Sequence, residues 1–182
     1  KEFSYRTAAQ IVQVKSIQTA EKYIKYLEES FLFFTINNFS FKLKEQTSKK
    51  IYCIDNGILK AKSFKTGEDR GKQLENAVAI KLKKLELELK ANIYFWKSQA
   101  SEVDFVVKKG LKITELIQVC FDLSSPKTFQ REARALVNAS RELKCSNLKI
   151  LTMGKEEEKE FSWFGAKRKI KIIPAWKWLL EN

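Results

Sequence analysis

Histidine is absent from this 182-residue chain, and its three cysteines, Cys53, Cys120 and Cys145, lie far apart. The lack of histidine and of a C-x-x-C pair argues against an imidazole base and against a structural zinc site. Unpaired cysteines fit a reducing cytoplasm better than secretion. No apolar run is long enough to cross a bilayer, and no signal peptide is recognisable. We therefore expect a cytoplasmic protein without a membrane partner.

The phosphate-binding motif G-x-x-x-x-G-K-[S/T] is also missing, so the chain has no P-loop with which to bind ATP. The sequence begins at Lys1, without a methionine, and enters directly into a helical pattern. We therefore expect it to be a fragment of a longer protein.

Acidic residues are outnumbered, because 35 lysines and arginines stand against 22 aspartates and glutamates, for a formal net charge of +13. Such a surplus is the electrostatic footprint of a protein that binds nucleic acid. A lysine-rich proteome, in which surplus lysine only solvates the surface, explains the charge equally well. The charge alone leaves both interpretations open.

Residues 1–60 have the pattern of two helices followed by a two-stranded ribbon. Ser4 is suited to cap a helix that ends near residue 14, and a second helix is predicted over residues 17–30. The segments FLFFTI and KKIYCI are rich in aromatic and β-branched residues, so they are predicted to be strands. We interpret this region as a winged-helix-like domain.

In a winged helix, the second helix and the ribbon would contact nucleic acid. No arginine on the second helix is available to read bases, which argues against strong sequence specificity. Winged-helix folds also serve as protein-docking adaptors, so a solvated basic face is an equal alternative. The residues expected to bind nucleic acid are Gln18, Thr19, Lys22 and Lys25 on the second helix and Lys42, Lys44, Lys49 and Lys50 on the ribbon.

Residues 61–182 change to alternating helices and strands, which predicts a mixed-sheet domain of the α/β (α+β) class. The glycine-containing segment 55–71 before it is predicted to be a linker. A helix is predicted over 72–89, and a second helix follows Ser125 and Thr128 and ends near residue 143. Strands are predicted over 92–97, 102–108 and 112–121 and in LKILTM and KIKII, with a loop at KEEEKE and a short final helix at Pro174.

Three polar residues of this region stand out. Glu75 lies on the apolar stripe of the first predicted helix, Asp104 lies at the centre of an apolar strand, and Gln118 lies on the next strand. Because side chains alternate along a strand, Glu102 and Asp104 share one face, and Gln118 and Cys120 share one face. Alone, each has an ordinary explanation: a helix-start carboxylate, a strand ion pair and a half-exposed amide.

Together these residues resemble the PD-(D/E)XK nuclease core, in which two acids and an (E/Q)-x-K pair converge on a divalent metal. The resemblance implies a restriction-endonuclease-like domain in which Glu75, Asp104 and Gln118 are catalytic and bind Mg²⁺ or Mn²⁺. Cys120 occupies the lysine position of that motif, and a neutral thiol cannot stabilise phosphate charge as an ammonium does.

Lys97 is the candidate replacement for the missing lysine, because the predicted hairpin places it roughly opposite Glu102, on the face of Asp104. A lysine at a strand end also has a simpler explanation, since it can just reach water. Lys127 and Arg131, near the start of the next helix, are weaker candidates that contact phosphate or solvent.

A more specific resemblance runs in fixed order through IYCIDNGI, GKQLENAVAIKL, IYFWKSQASEVDFVV, ELIQVCFDLSSPKTFQREARAL and IIPAWKWLL. These segments, which cover nearly the whole chain, resemble the C-terminal region of AAA-family ATPases of archaea and bacteria. That region is a domain of uncharacterised function with a restriction-endonuclease-like core. The resemblance implies that an ATPase module precedes Lys1 in the intact protein, and it is compatible with an oligomer.

Three functions remain open at this point. The first is a nucleic-acid-binding, nuclease-like region of an ATPase that binds DNA and cleaves it weakly or not at all. The second is an active Mg²⁺- or Mn²⁺-dependent DNA nuclease in which another lysine replaces the missing one. The third is a protein-interaction module that regulates the ATPase without DNA activity. DNA affinity that falls steeply with salt separates the first two from the third.

Overall fold

The computed structural model describes residues 2–41, 47–62, 69–88 and 90–181. Within these ranges the chain forms a large mixed sheet with helices packed on it, so the α+β class predicted from the sequence is confirmed. No helix in the described ranges combines the length and the apolar character that a membrane span requires.

Nine strands and six helices make up the described part of the chain. The strands are β1 (Glu2–Phe3), β2 (Phe33–Asn38), β3 (Lys49–Cys53), β4 (Asn92–Lys97), β5 (Glu102–Lys109), β6 (Lys112–Val119), β7 (Leu148–Thr152), β8 (Glu157–Trp163) and β9 (Ala166–Pro174). The helices are α1 (Tyr5–Ile11), α2 (Ile17–Glu29), α3 (Asn56–Lys62), α4 (Asp69–Leu87), α5 (Pro126–Leu143) and α6 (Ala175–Leu180). All strands join one sheet in the order β1-β3-β2-β4-β5-β6-β7-β9-β8.

The N-terminal helix pair and ribbon are present, but the ribbon is continuous with the main sheet. The Ser4 hydroxyl accepts a hydrogen bond from the Thr7 amide at 3.2 Å, which caps α1 as expected. Strand β2 pairs antiparallel with β3 and, through Asn37 and Asn38, parallel with β4. The ribbon therefore carries its side chains to the same sheet as the predicted nuclease-like region.

The central hairpins form as predicted, since β4, β5 and β6 are adjacent antiparallel strands. The register between β4 and β5 shifts, because Tyr94 pairs with Val106 whereas Trp96 pairs with Val103. Strand β5 thus has two residues where β4 has one, and Asp104 is one of those two. Such a β-bulge re-aims the side chains around it and is common beside functional sites.

Each face of the sheet has its own apolar core. Helix α4 packs Val78, Ala79 and Leu82 onto one face, where they meet Phe95 and Phe105. Helix α5 covers the other face with the buried residues Ala133, Leu136 and Ala139, which pack with Val106, Leu116 and Ile150. The candidate site lies where α4 meets β3 and β5.

Two segments differ from the sequence prediction. Part of the predicted linker forms α3, whose first amides at Gly57 and Ile58 donate to the Asp55 carboxylate at 2.6 and 3.1 Å. The segment KEEEKE was expected to be a loop, but most of it belongs to β8, an exposed strand at the sheet edge. Its charges are matched across the hairpin, since Glu160 contacts Lys167 at 2.6 Å, and such pairs stabilise a ribbon.

Candidate active site

The centre of the site is the ammonium group of Lys50, which three carboxylates surround. Its Nζ atom lies 2.6 Å from Glu102 Oε1, 2.9 Å from Asp104 Oδ1 and 3.3 Å from Glu75 Oε1. Strand β3 supplies the lysine, β5 supplies Glu102 and Asp104, and α4 supplies Glu75. We call these four residues the Lys50 cluster. Lys50 is only 5% exposed, so its long side chain crosses the packed interior to reach the acids.

Charge in the Lys50 cluster is not balanced. Burial alone would lower the pKa of Lys50, but the charges of Asp104, Glu75 and Glu102 outweigh it and raise that pKa, so the ammonium stays charged. Burial raises the pKa of Asp104 to about 7, against the opposing effect of Lys50, and the Glu75 charge raises it further. The raised pKa of Asp104 reflects this crowding, and one ammonium cannot neutralise all three carboxylates when they are ionised.

Tyr52 holds one of these carboxylates in place. Its hydroxyl donates a hydrogen bond to Glu75 Oε1 at 2.7 Å. Burial, together with the Glu75 charge, raises the pKa of Tyr52, so the phenol remains a proton donor. Tyr52 is two residues after Lys50 on β3, so both side chains point to the same face of the sheet.

Asp104 is also held from β6. Its Oδ2 atom accepts a hydrogen bond from the Val119 amide at 3.0 Å. The Asp104 amide in turn donates to Gln118 Oε1 at 3.2 Å, and Gln118 Nε2 donates to Glu132 Oε2 at 2.7 Å. These bonds fix the Asp104 carboxylate against Lys50 and leave it little freedom to rotate.

Gln118 lines one cavity with Glu75 and Asp104, as predicted, but its amide is not placed among the carboxylates. Its neighbours in the strand alternation, Leu116 and Cys120, belong to the core under α5, and Gln118 itself bonds to Glu132 on that helix. Its amide oxygen is directed at the Asp104 backbone amide and not at the carboxylates of the Lys50 cluster. Gln118 therefore braces Asp104 from the other face of the sheet.

Cys120 supplies no positive charge at the position of the motif lysine. Burial, reinforced by the Glu132 charge, raises the pKa of its thiol, so the group is neutral. The thiol donates to the Asp122 carbonyl oxygen at 3.2 Å.

Lys97 does not supply that charge either. It pairs with Glu102 in the β4–β5 register, as expected, but its ammonium binds the Glu2 carboxylate and the side chain is half-exposed. The prediction that Lys97 replaces the missing lysine does not fit this geometry, because Lys50 fills the position beside the acids. Strand alternation could have indicated that Lys50 is buried, because Lys50 shares its face of β3 with the ring of Tyr52.

The residues expected to bind nucleic acid fall into three groups: buried or bonded on β3, outside the described residues, and mostly exposed on α2. Lys50 is buried, contrary to its predicted place on an exposed wing, and Lys49 donates to Asn37 Oδ1 at 2.5 Å. Lys42 and Lys44 lie outside the described residues. On α2, Gln18, Lys22 and Lys25 are exposed, and Thr19 is partly buried.

Two cavities meet at the Lys50 cluster. A cavity of about 870 Å³, which we call the site cavity, is lined by Glu75, Glu102 and Asp104 together with residues of α5 and of the β8–β9 turn. A second cavity, of about 690 Å³, shares the same three acids and is also lined by Lys50 and Tyr52. The acids are thus reached from both sides, although Asp104 is buried.

The donor set of the site suits a hard divalent cation. Carboxylate oxygens are the ligands that Mg²⁺ prefers, and one or two carboxylates plus water are its usual protein ligands. Within the described residues, no three Asp, Glu or Cys side chains form a preformed cage for a metal ion. Glu75, Glu102 and Asp104 each contact one cation already, and their excess charge favours a second. These residues fit an open site in which one or two carboxylates and several waters would hold Mg²⁺ or Mn²⁺.

Comparison with known proteins identifies relatives without a known activity. Residues 1–69 match the family model described as "Domain of unknown function (DUF8612)". The chain is 34% identical over 160 residues to "Uncharacterized protein MJ1544" of Methanocaldococcus jannaschii. This match covers 87% of this chain and 35% of that protein. It is also 30% identical over 110 residues to an uncharacterised protein of Haemophilus influenzae. That match covers 59% of this chain and 26% of the relative. No solved structure matches. The chain thus spans about a third or less of the length of these relatives.

Proposed function

We propose that this chain is a nucleic-acid-binding, nuclease-like domain whose site is built for metal-dependent hydrolysis of a phosphodiester, with Lys50 as its catalytic cation. One observation carries the proposal: the Lys50 ammonium lies within 3.3 Å of all three carboxylates of the cluster. A lysine beside two acids is the combination that the nuclease motif requires, and here the lysine comes from a distant strand. The proposal therefore replaces the weakly active site expected from Cys120.

The chemistry proposed for the site divides between a bound ion and the chain. Mg²⁺ or Mn²⁺, held by Asp104 with Glu75 or Glu102, would polarise the phosphate and lower the pKa of a bound water. Lys50, whose pKa is raised, offers a permanent positive charge to the developing phosphate charge. Tyr52 and the Val119 amide orient the carboxylates, so the site is preorganised.

The proposed substrate is DNA, supported by the net charge of +13 and by the basic residues Lys127, Arg131 and Arg134 along the site cavity. We infer further that the domain belongs to a longer, cytoplasmic ATPase. The resemblance to ATPase C-terminal regions supports this inference, as do the greater length of the relatives and the three free cysteines.

The test is cleavage of labelled DNA with Mg²⁺, with Mn²⁺ and with EDTA, by the wild-type chain and by Asp104→Asn. We expect metal-dependent cleavage that falls roughly a hundred- to thousand-fold in Asp104→Asn, as for loss of one preorganised electrostatic contact. DNA affinity should change only a few-fold, because the basic residues remain.

Lys97→Ala is the matched control, since Lys97 is also a strand lysine in an ion pair, but outside the Lys50 cluster. It should cleave at the wild-type rate. Cleavage that survives in Asp104→Asn, or that is lost equally in Lys97→Ala, would place the chemistry elsewhere and contradict the proposal.

A second candidate, nucleic-acid binding without hydrolysis, is favoured by one specific observation. Both carboxylate oxygens of Asp104 already have partners, Lys50 at 2.9 Å and the Val119 amide at 3.0 Å. A metal must compete with these partners for the same oxygens. DNA binding without cleavage in either metal would select this candidate.

A further inference from the structure

The turn between β8 and β9 carries an exposed aromatic pair into the site cavity. Trp163 pairs with Ala166, so the turn consists of Phe164 and Gly165, and both have a positive φ, 45° and 74°. Trp163 and Phe164 line the site cavity together with the acids of the Lys50 cluster. Phe164 is 76% exposed, so its ring contributes little to the core.

Folding does not explain a phenylalanine at this position. Two-residue turns with positive φ at both positions favour Asn-Gly, because an asparagine tolerates the left-handed region better than a bulky side chain does. Phe164 has both a disfavoured backbone conformation and a ring in water. A binding role for the ring accounts for both features.

The wall beside this turn is basic. The Arg134 guanidinium lies 4.3 Å from the centre of the Trp163 ring, and the Trp163 and Phe164 rings are 4.8 Å apart. Lys127, Arg131 and Arg134 are spaced along α5 at intervals of four and three residues, so they share one face of the helix. All three line the site cavity, and the Arg131 side chain is 74% exposed.

Aromatic rings beside a row of cations are the arrangement with which proteins hold unpaired nucleotides. Each base stacks on a ring while the backbone phosphates follow the positive charges. Bases inside a duplex are already stacked on one another and offer no free face. A ring at the cavity mouth therefore discriminates in favour of single strands.

We infer that the site cavity takes single-stranded nucleic acid, with one base stacked on Phe164 and the flanking phosphates on the cationic face of α5. This inference rests on the proposed function and makes it more specific, because the strand would run from the turn to the Lys50 cluster. The acids would then face an unpaired strand or strand end and not the middle of a duplex.

The experiment measures the fluorescence anisotropy of a labelled oligothymidine roughly 12 nucleotides long, and of a duplex of equal length. Binding is measured in EDTA at low ionic strength, so that no metal-dependent cleavage occurs. We expect Phe164→Ala to weaken single-strand binding roughly 5- to 150-fold, the range for loss of one base stack. Duplex binding should stay within about twofold of wild type, since it uses only the general attraction of the cations.

Three further variants make the outcome decisive. Phe164→Trp should keep single-strand affinity, because it keeps a ring. Phe164→Asn should lose affinity while melting at or above the wild-type temperature, since asparagine suits the turn, and this excludes unfolding as the cause. Phe41→Ala removes a phenylalanine of similar exposure, 73%, that is not among the residues lining the site cavity, and should bind as wild type.

Two different failures are distinguishable. If neither oligonucleotide binds, the proposed function itself fails. If both bind equally and Phe164→Ala changes neither, nucleic-acid binding stands and the preference for single strands is wrong.

Discussion

Two buried carboxylates, one on each face of the sheet, differ in how their charge is compensated. Under α5, Glu132 receives hydrogen bonds from the Arg131 guanidinium and from the Gln118 amide, so a single acid has a cation and a neutral donor. On the α4 side, Asp104 shares one ammonium with two other acids, and its pKa rises to about 7 as burial and the Glu75 charge outweigh Lys50. The charge of Glu132 is thus compensated by a cation of its own, whereas Asp104 has no cation to itself. This crowding of charge, more than burial, distinguishes the Lys50 cluster from an ion pair that only supports the fold.

The strongest test of this comparison is Lys50→Met, which removes the sole ammonium of the cluster and keeps a similar side-chain length. Three acids would remain without a partner, and breaking a buried pair in this way costs roughly 3–5 kcal/mol. Urea denaturation should show that loss in the free energy of unfolding. Lys97→Met, whose ion pair is half-exposed, should lose less than about 1 kcal/mol. Equal losses in the two variants would mean that the Lys50 cluster is no more coupled than a surface pair.

A smaller effect is expected at the balanced site, from Glu132→Ala. This change leaves the buried Gln118 amide without its acceptor, which costs roughly 1–3 kcal/mol, while the exposed Arg131 regains water. Cleavage should persist, because Glu132 does not touch the Lys50 cluster. The variant is checked by urea denaturation and by the DNA cleavage assay. A loss of cleavage as large as that of Asp104→Asn would show that the two faces of the sheet act as one site.

The smallest effect is expected from Tyr52→Phe, which removes only the hydrogen bond to Glu75. Because Glu75 is partly exposed and keeps its contact with Lys50, we expect a loss of roughly 0.5–1.5 kcal/mol, as for an ordinary hydrogen bond. Thermal unfolding should show a modest loss of stability with the fold unchanged. If Tyr52 also positions Glu75 for the reaction, cleavage should fall more than DNA affinity does. Unchanged cleavage would limit Tyr52 to a packing role.

Local pattern was sufficient to predict most of the fold. The strands near 92–97 and 102–108 and the helix near 125–143 were recoverable because alternation and apolar periodicity are properties of neighbouring residues. The exposed strand β8 was missed since its charges mimic a solvated loop, and its partners lie on another strand. Helix α3 was missed because its glycine favoured a linker.

The candidate site was only half predictable, for a different reason. Glu75 and Asp104 were identified from their polar character on apolar elements, and both line the site cavity. Alternation with Tyr52 could have indicated that Lys50 is buried, but not that it meets Asp104, because that contact depends on the parallel pairing of β2 with β4, which no short motif encodes. The β-bulge at Asp104 could not be predicted either, because the prediction assumed that side chains alternate regularly along the strand.

The parallel contact between β2 and β4 also has a consequence for how this protein can be divided. The segment that matches the family of unknown function, residues 1–69, carries Lys50 and Tyr52, while all three acids follow it in the chain. A cut near residue 60 would separate the cation from its acids and leave β4 with an open edge. Neither piece would contain a complete Lys50 cluster, so the two segments are expected to be inherited together.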